Sequence, residues 1–244
     1  MPIDLTILAL AGFVVAVTNT VVGPTGGAMV GVLSFIIPGR ATIALHAAVS
    51  LLSSSSRVFI LRKHINWNVT KTIFIWSLPA LPVGAFGVMV FPDIFWSFAI
   101  GTFLVLYGST EAIQSYVSAA KGLRLPAFIS MCASFFVGTG GTLINPFIIE
   151  NSTSPSQAIA TQSIVVMWQH FAKIVLFTAV GFSFLDHLDA FLALSAGVLL
   201  GNVVGAYALK RFDLTSHQSV QRWGLFLVGA LLLVHTFKQA FFSS

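Results

Sequence analysis

The nine residues GPTGGAMVG, Gly23 to Gly31, interrupt an apolar segment running from Ile3 to Ile37. About 20 apolar residues in one helix cross roughly 30 Å of hydrocarbon, so this segment is long enough to span with residues to spare. Instead it stops at a proline, which removes a backbone donor, and at paired glycines, the poorest helix formers after proline. What a spanning helix gains by stopping there decides how the chain is read.

Composition places the break in lipid. Of 244 residues, 57% are hydrophobic and only 8% charged, against about 25% charged in ordinary soluble domains, and the mean hydropathy is +0.94. The chain is an all-α polytopic membrane protein. An isoelectric point near 9.7 invites a nucleic-acid reading, but the Lys and Arg residues are too scattered among apolar runs to form a basic stripe. Cys132 is the single cysteine and lies in an apolar run, which leaves no intrachain disulfide and no Cys-x-x-Cys motif; it reads as a packing residue. The start MPIDLTILALAG has no basic n-region, so the first segment is expected to be retained rather than cleaved.

Six uninterrupted spans are expected at residues 41–61, 72–91, 94–117, 157–181, 190–209 and 222–240. Regions 3–37 and 126–149 are apolar but broken by GPTGG and VGTGG. Each is followed by a connector and then a polar-striped helix. Laying Thr25-Gly26-Gly27 on Thr139-Gly140-Gly141 gives an offset of 114, and two residues added in the connector bring the following helices into line at 116. PVGAFG (Pro82–Gly87) then falls near LLGNVVG (Leu199–Gly205), and each half closes on a long apolar helix. Residues 1–118 form the first repeat, 119–125 a linker and 126–244 the second repeat. Each repeat has a glycine-broken re-entrant or short helical pair followed by three transmembrane helices.

Short cytoplasmic loops collect Lys and Arg. With RKHINWNVTK inside and region 126–149 folding back as a hairpin, Lys121, Arg124, Lys210, Arg211 and Arg222 are inside too. Only Arg40 and Lys238 are left outside, beside Asp4, Asp93, Asp186 and Asp189, and both termini face out. The loop after the second segment is basic and inside in one repeat, but acidic and outside in the other (GFSFLDHLD). The repeats are therefore expected to be inverted, as in secondary transporters, which build their sites from interrupted helices near the midplane.

Helix 41–61 carries His46, Ser50, Ser53 and Arg57, spaced by four, three and four, on one face. The equivalent positions of the second repeat are Gln162, Val166, Gln169 and Lys173, beside His170. A basic side chain in a transmembrane helix costs about 2.5 to 3.5 kcal/mol on insertion scales and usually faces a cavity or partner. Arg57 lies close enough to a helix end to snorkel, whereas Lys173 is too deep for that. His46 and His170 read equally as interhelical hydrogen-bonders or as ligands. Trp76 and Trp168 read as interface or core residues, and Gly84, Gly87, Gly201 and Gly205 as helix-packing sites.

Both stripes hold cations, and the glycine breaks start new helices whose free N–H groups and positive dipole ends favour anions. Thr25 and Thr139 add hydroxyl donors, and Gly26, Gly27, Gly140 and Gly141 allow close approach to the backbone. The candidate substrate-binding set is Thr25, Gly26, Gly27, His46, Ser50, Arg57, Thr139, Gly140, Gly141, Gln162, Gln169, His170 and Lys173. The partners expected are a small anion and the bilayer, with a coupling proton and a second copy of the chain as options, and no cofactor or metal. With no His-Glu-x-x-His, no Gly-x-Ser-x-Gly and no deep carboxylate pair, the groups for intramembrane catalysis are missing.

The two breaks VVGPTGGAMV and FFVGTGGTLI, the helix starts ATIALHAAVS and SQAIATQSIV, and the loop KHINWNV together resemble the sulfite exporter TauE/SafE family, also called the toluene sulfonate uptake permeases. The resemblance covers nearly the whole chain. It departs from the family pattern at Pro24-Thr25, at His46 where the family usually has Thr, and at Asn66 in place of an acidic residue before Trp67. It implies export of sulfur-containing anions such as sulfite, thiosulfate, sulfoacetate or other organosulfonates across a bacterial inner membrane. The alternative is an anion channel, or a transporter of another small carboxylate or oxyanion.

Overall fold

The computed structural model describes residues 4–22, 26–37, 39–109, 122–209 and 218–242. Among the described residues all regular structure is helical. The helices are α1 (Leu5–Val22), α2 (Gly26–Ile36), α3 (Arg40–Leu61), α4 (Trp67–Ser77), α5 (Ala80–Val90), α6 (Asp93–Ser109), α7 (Arg124–Val137), α8 (Gly141–Glu150), α9 (Pro155–Ala179), α10 (Leu188–Leu209) and α11 (Gln218–Phe242). Short 3₁₀ turns at Arg62–His64 and Leu185–His187 lead out of α3 and into α10.

Four of these are long and apolar enough to cross a membrane, at Arg40–His64, Pro155–Ala179, Leu185–Gly205 and Arg222–Phe241. A fifth span was expected as one uninterrupted run at 72–91 and is instead the pair α4 and α5, bent by 45°. The cause is local: Pro79 caps α5, and a proline supplies no N–H to a continuing helix and crowds the turn before it. The run expected at 94–117 begins as α6, and its part from residue 110 onward lies outside the described residues. Both glycine-broken regions fold as pairs of short helices, α1 with α2 and α7 with α8.

Helix boundaries follow local chemistry. Ser154 caps α9 by accepting the amide of Gln157 at 3.2 Å, and Pro155 takes the first helical position, where no N–H is needed. α7 stops where Gly138 adopts φ +77°, a left-handed turn that only glycine enters without cost. Asn66 caps α4 through the Val69 amide at 3.3 Å. Its own N–H donates to the Thr161 hydroxyl at 2.9 Å, and its side chain reaches the Asn151 carbonyl at 3.2 Å. Asn66 thus ties the end of α3 to the start of α9.

The principal pairings all join a helix from before residue 118 to one from after it: α1 with α10, α3 with α9, α4 and α5 with α7, and α6 with α11. Small residues bring these backbones together. A Cβ at Gly201 would overlap the Phe13 carbonyl, and Gly84 and Gly87 lie against the Phe135 and Phe136 rings, so these three of the expected packing glycines are at helix contacts. Cys132 borders the apolar cluster around Met131 and Phe135, as a packing residue. α3 and α9 run antiparallel, because Asn66 beyond the end of α3 meets Thr161 early in α9, while His46 near the start of α3 meets His170 late in α9.

Candidate functional site

The second break is a tight backbone knot held by α9. After the left-handed Gly138, Gly140 sits at the N-terminus of α8, and its carbonyl accepts the amides of Leu143 and Ile144. The amides of Gly141 and Thr142 precede the first intrahelical bond and have no helix carbonyl to meet. Gly140 lies so close to α7 that a Cβ would overlap the Ser130 carbonyl oxygen.

Two residues of the α9 stripe clamp this knot, four positions apart on one helix face. Lys173, 0% exposed, donates from Nζ to the Gly138 carbonyl at 2.7 Å. Gln169, 2% exposed, donates from Nε2 to the Ser130 hydroxyl at 2.7 Å, which in turn donates to the Gly140 carbonyl at 2.8 Å. An ammonium has three donors, and the Gly138 carbonyl takes one. No carboxylate pairs with Lys173; among the described residues the one ion pair is Arg40 with Asp93, Nε to Oδ1 at 3.6 Å, both exposed.

Beside this clamp, the imidazoles of His46 on α3 and His170 on α9 meet edge to face, with centroids 5.3 Å apart. Both are buried, at 3% and 5% exposure. His46 Nε2 contacts the Ser50 hydroxyl at 3.1 Å one turn along α3. The Nδ1 atoms of both rings are buried without a partner, as are the hydroxyls of Ser134 and Thr142. Native proteins pair most buried polar atoms, and these four orphans lie on α3, α7, α8 and α9, the helices around the buried ammonium.

The first break reaches the second. A Cβ on Gly27 would lie 3.5 Å from the Thr139 methyl, and one on Gly138 would press on Val30 of α2. Gly27, Thr139 and Thr142 meet Phe103, Leu104, Tyr107 and Leu225 around a shallow crevice beside this contact.

The structure therefore brings together Gly27, His46, Ser50, Thr139, Gly140, Gly141, Gln169, His170 and Lys173. Gly26 opens α2, and Thr25 lies outside the described residues. Gln162 is half-buried farther along α9, and Arg57 is exposed toward the end of α3. Trp168 donates to Ser77 at 2.9 Å and stacks on Phe74, a packing role. Trp76 is exposed, with the Arg124 guanidinium over its ring. Sequence reasoning missed Ser130, Ser134 and Thr142. Ser130 and Ser134 are spaced by four on a helix already marked as one arm of a break, which was the available signal.

No curated protein and no solved structure matches the chain. The family model for the sulfite exporter TauE/SafE matches residues 8–236, from within α1 to within α11 and through both breaks. With the whole helical core inside that match, the chain belongs to the sulfite exporter TauE/SafE family of membrane transporters.

Proposed function

We propose that this protein is a secondary transporter that exports small sulfur-containing anions, such as sulfite, sulfoacetate or other organosulfonates, by alternating access. One observation carries the reading: Lys173 is fully buried with no acidic partner among the described residues, and its ammonium rests on the backbone of a broken helix. A buried charge costs several kcal/mol unless paired, and intramembrane cations mark ion pathways. The missing counter-charge is the substrate. Its oxyanion sits against Lys173 and the first-turn amides of α8, with His46, His170 and the Ser134 and Thr142 hydroxyls supplying further hydrogen bonds and Gly26 and Gly27 completing the site from the other break.

Alternating access rests on two inverted repeats, 1–118 and 126–244. Exchanging the halves turns α1 with α10 into α7 with α4 and α5, and returns α3 with α9 and α6 with α11 to themselves, which agrees with the pairings described above. The positive-inside distribution supports both termini outside, in a bacterial inner membrane, with Arg57 toward the inner vestibule and Lys173 toward the outer one. Purified protein in proteoliposomes tests the reading by counterflow of radiolabelled sulfite and sulfoacetate. Saturable exchange at carrier rates is the expected result. Unitary conductance steps in planar bilayers, with no counterflow, would replace the carrier by a channel.

A further inference from the structure

We propose that His46 and His170 form a proton-carrying site coupled to the anion site, so that one proton crosses with each anion. The proposal rests on the transport reading above and goes beyond it by naming the coupled ion and the atoms that carry it.

The geometry is specific. Two imidazoles from different helices, α3 and α9, face each other at 5.3 Å in the most buried part of the stripe. His46 Nε2 is engaged by Ser50, but Nδ1 of each ring is buried without a partner. A structural histidine usually satisfies its buried nitrogens; here the Nδ1 of each ring has no partner in the protein. The two rings also sit on the helices whose contact joins the halves, so a rearrangement of one half against the other changes what each ring faces.

The charges around the pair make the coupling obligatory. Lys173 lies within electrostatic reach of both rings, and Arg57 of His170. The other neighbours add no charge at depth. α2 and α5 contain no titratable residue; Arg62, Lys63 and His64 of the 3₁₀ turn after α3 and Lys71, midway along α4, are exposed, and Arg124 of α7, Glu150 of α8 and Asp189 of α10 are exposed near helix ends. Cys132 on α7 is half-buried and Tyr207 on α10 exposed. An imidazolium formed here stands beside a buried ammonium with no carboxylate to offset either, so the doubly positive state is tolerated only with an anion present. By linkage, an anion that raises proton affinity is itself bound more tightly, by the same factor, when the proton is present. The step involves no redox or covalent change in the substrate: water on one side gives a proton to an imidazole lone pair, and the imidazolium returns it to water on the other side as the anion leaves. A dianion with one proton carries one net negative charge, so an inside-negative membrane potential drives the pair outward.

Isothermal titration of the detergent-solubilised full chain with sulfoacetate, in two buffers of different ionisation enthalpy, counts protons taken up per anion bound. Sulfoacetate is a suitable probe because its acid groups remain ionised at neutral pH and add no proton of their own. About one proton per anion is expected for the wild type, falling toward zero in His46→Gln/His170→Gln, with the single variants between. In proteoliposomes with an alkaline lumen, acid outside by about one pH unit and the membrane potential clamped at zero, about tenfold accumulation of the anion in the lumen is expected for one-to-one coupling, and is lost in the double variant. Anion binding by the wild type without proton uptake overturns the proton site and leaves the transport reading standing. Unchanged stoichiometry in the double variant also overturns it, by placing the proton elsewhere. Failure of the wild type to bind or exchange sulfoacetate or sulfite overturns the transport reading and the coupling with it.

Discussion

The two basic residues of the stripes occupy equivalent places in the two halves of the sequence and unlike places in the fold. Lys173 lies on a helix buried along most of its length, with Phe177 still covered beyond it. Arg57 lies on a helix that buries Thr42 to Ala47 and Val49 but only Ser54 after that. One cation is sealed against the backbone of its break, and the other is open. Equivalent residues in unequal settings are what the proposed alternating-access carrier would show in any one of its states, and the comparison can be broken at several points.

The largest difference is expected between the breaks. Alanine at Gly140 drives a methyl group into the Ser130 carbonyl, which is backbone and cannot step aside, whereas at Gly27 the nearest atom is the Leu104 Cδ2 methyl at 2.8 Å, the end of a flexible side chain. Gly140→Ala should cost about 3 kcal/mol and Gly27→Ala about 1 kcal/mol. For a chain of this size that corresponds to apparent melting shifts of roughly 10 °C and about 3 °C in detergent. Equal shifts would mean that the second break is no more tightly held than the first.

Next comes Lys173→Met, which keeps the length and removes the charge. Losing a charge-assisted bond and the counter-charge of the anion is worth about 2 to 3 kcal/mol, so sulfite counterflow should fall roughly 100-fold with folding retained. Lys173→Arg should not restore it, because a fully buried position packed for an ammonium lacks room for the planar guanidinium. Ser130→Ala sits below these. It strands the Gln169 amide and one bond to Gly140 without removing charge, and should slow counterflow about tenfold.

The sequence carried the architecture further than the local geometry. Apolar runs and the two breaks were enough for the helical membrane fold, and helical periodicity for the two polar faces, His46 with Ser50 on one helix and Gln169 with Lys173 on another, because residues four apart share a face. The bend at Pro79 was hidden by unbroken hydropathy across 72–91, since hydropathy registers side chains and the bend comes from a missing backbone donor. The first role of Lys173, on a backbone carbonyl, was hidden as well. Nothing in residue identity says which carbonyl a left-handed Gly138 will turn outward, and the Ser130 bridge depends on the same turn. Thr25, whose hydroxyl was expected in the site, falls outside the described residues, so the first break is matched to the second only from Gly26 onward.

The smallest and most discriminating effect is expected at Arg57. An exposed cation acts on an approaching anion through solvent and is screened over about 8 Å at physiological ionic strength. Arg57→Ala should therefore raise the apparent KM for loading about threefold at low salt, with turnover little changed and the effect fading as salt is added. If the proposed inverted topology holds and Arg57 faces the inner vestibule, the change should appear when substrate is offered from the cytoplasmic face, measured in inside-out vesicles, and be absent in right-side-out vesicles. A loss as large as that of Lys173→Met, from either face, would carry a different lesson. It would mean that Arg57 is drawn against a broken helix in another state as Lys173 is in this one, so that the inequality of the two cations belongs to the conformation and not to the residues.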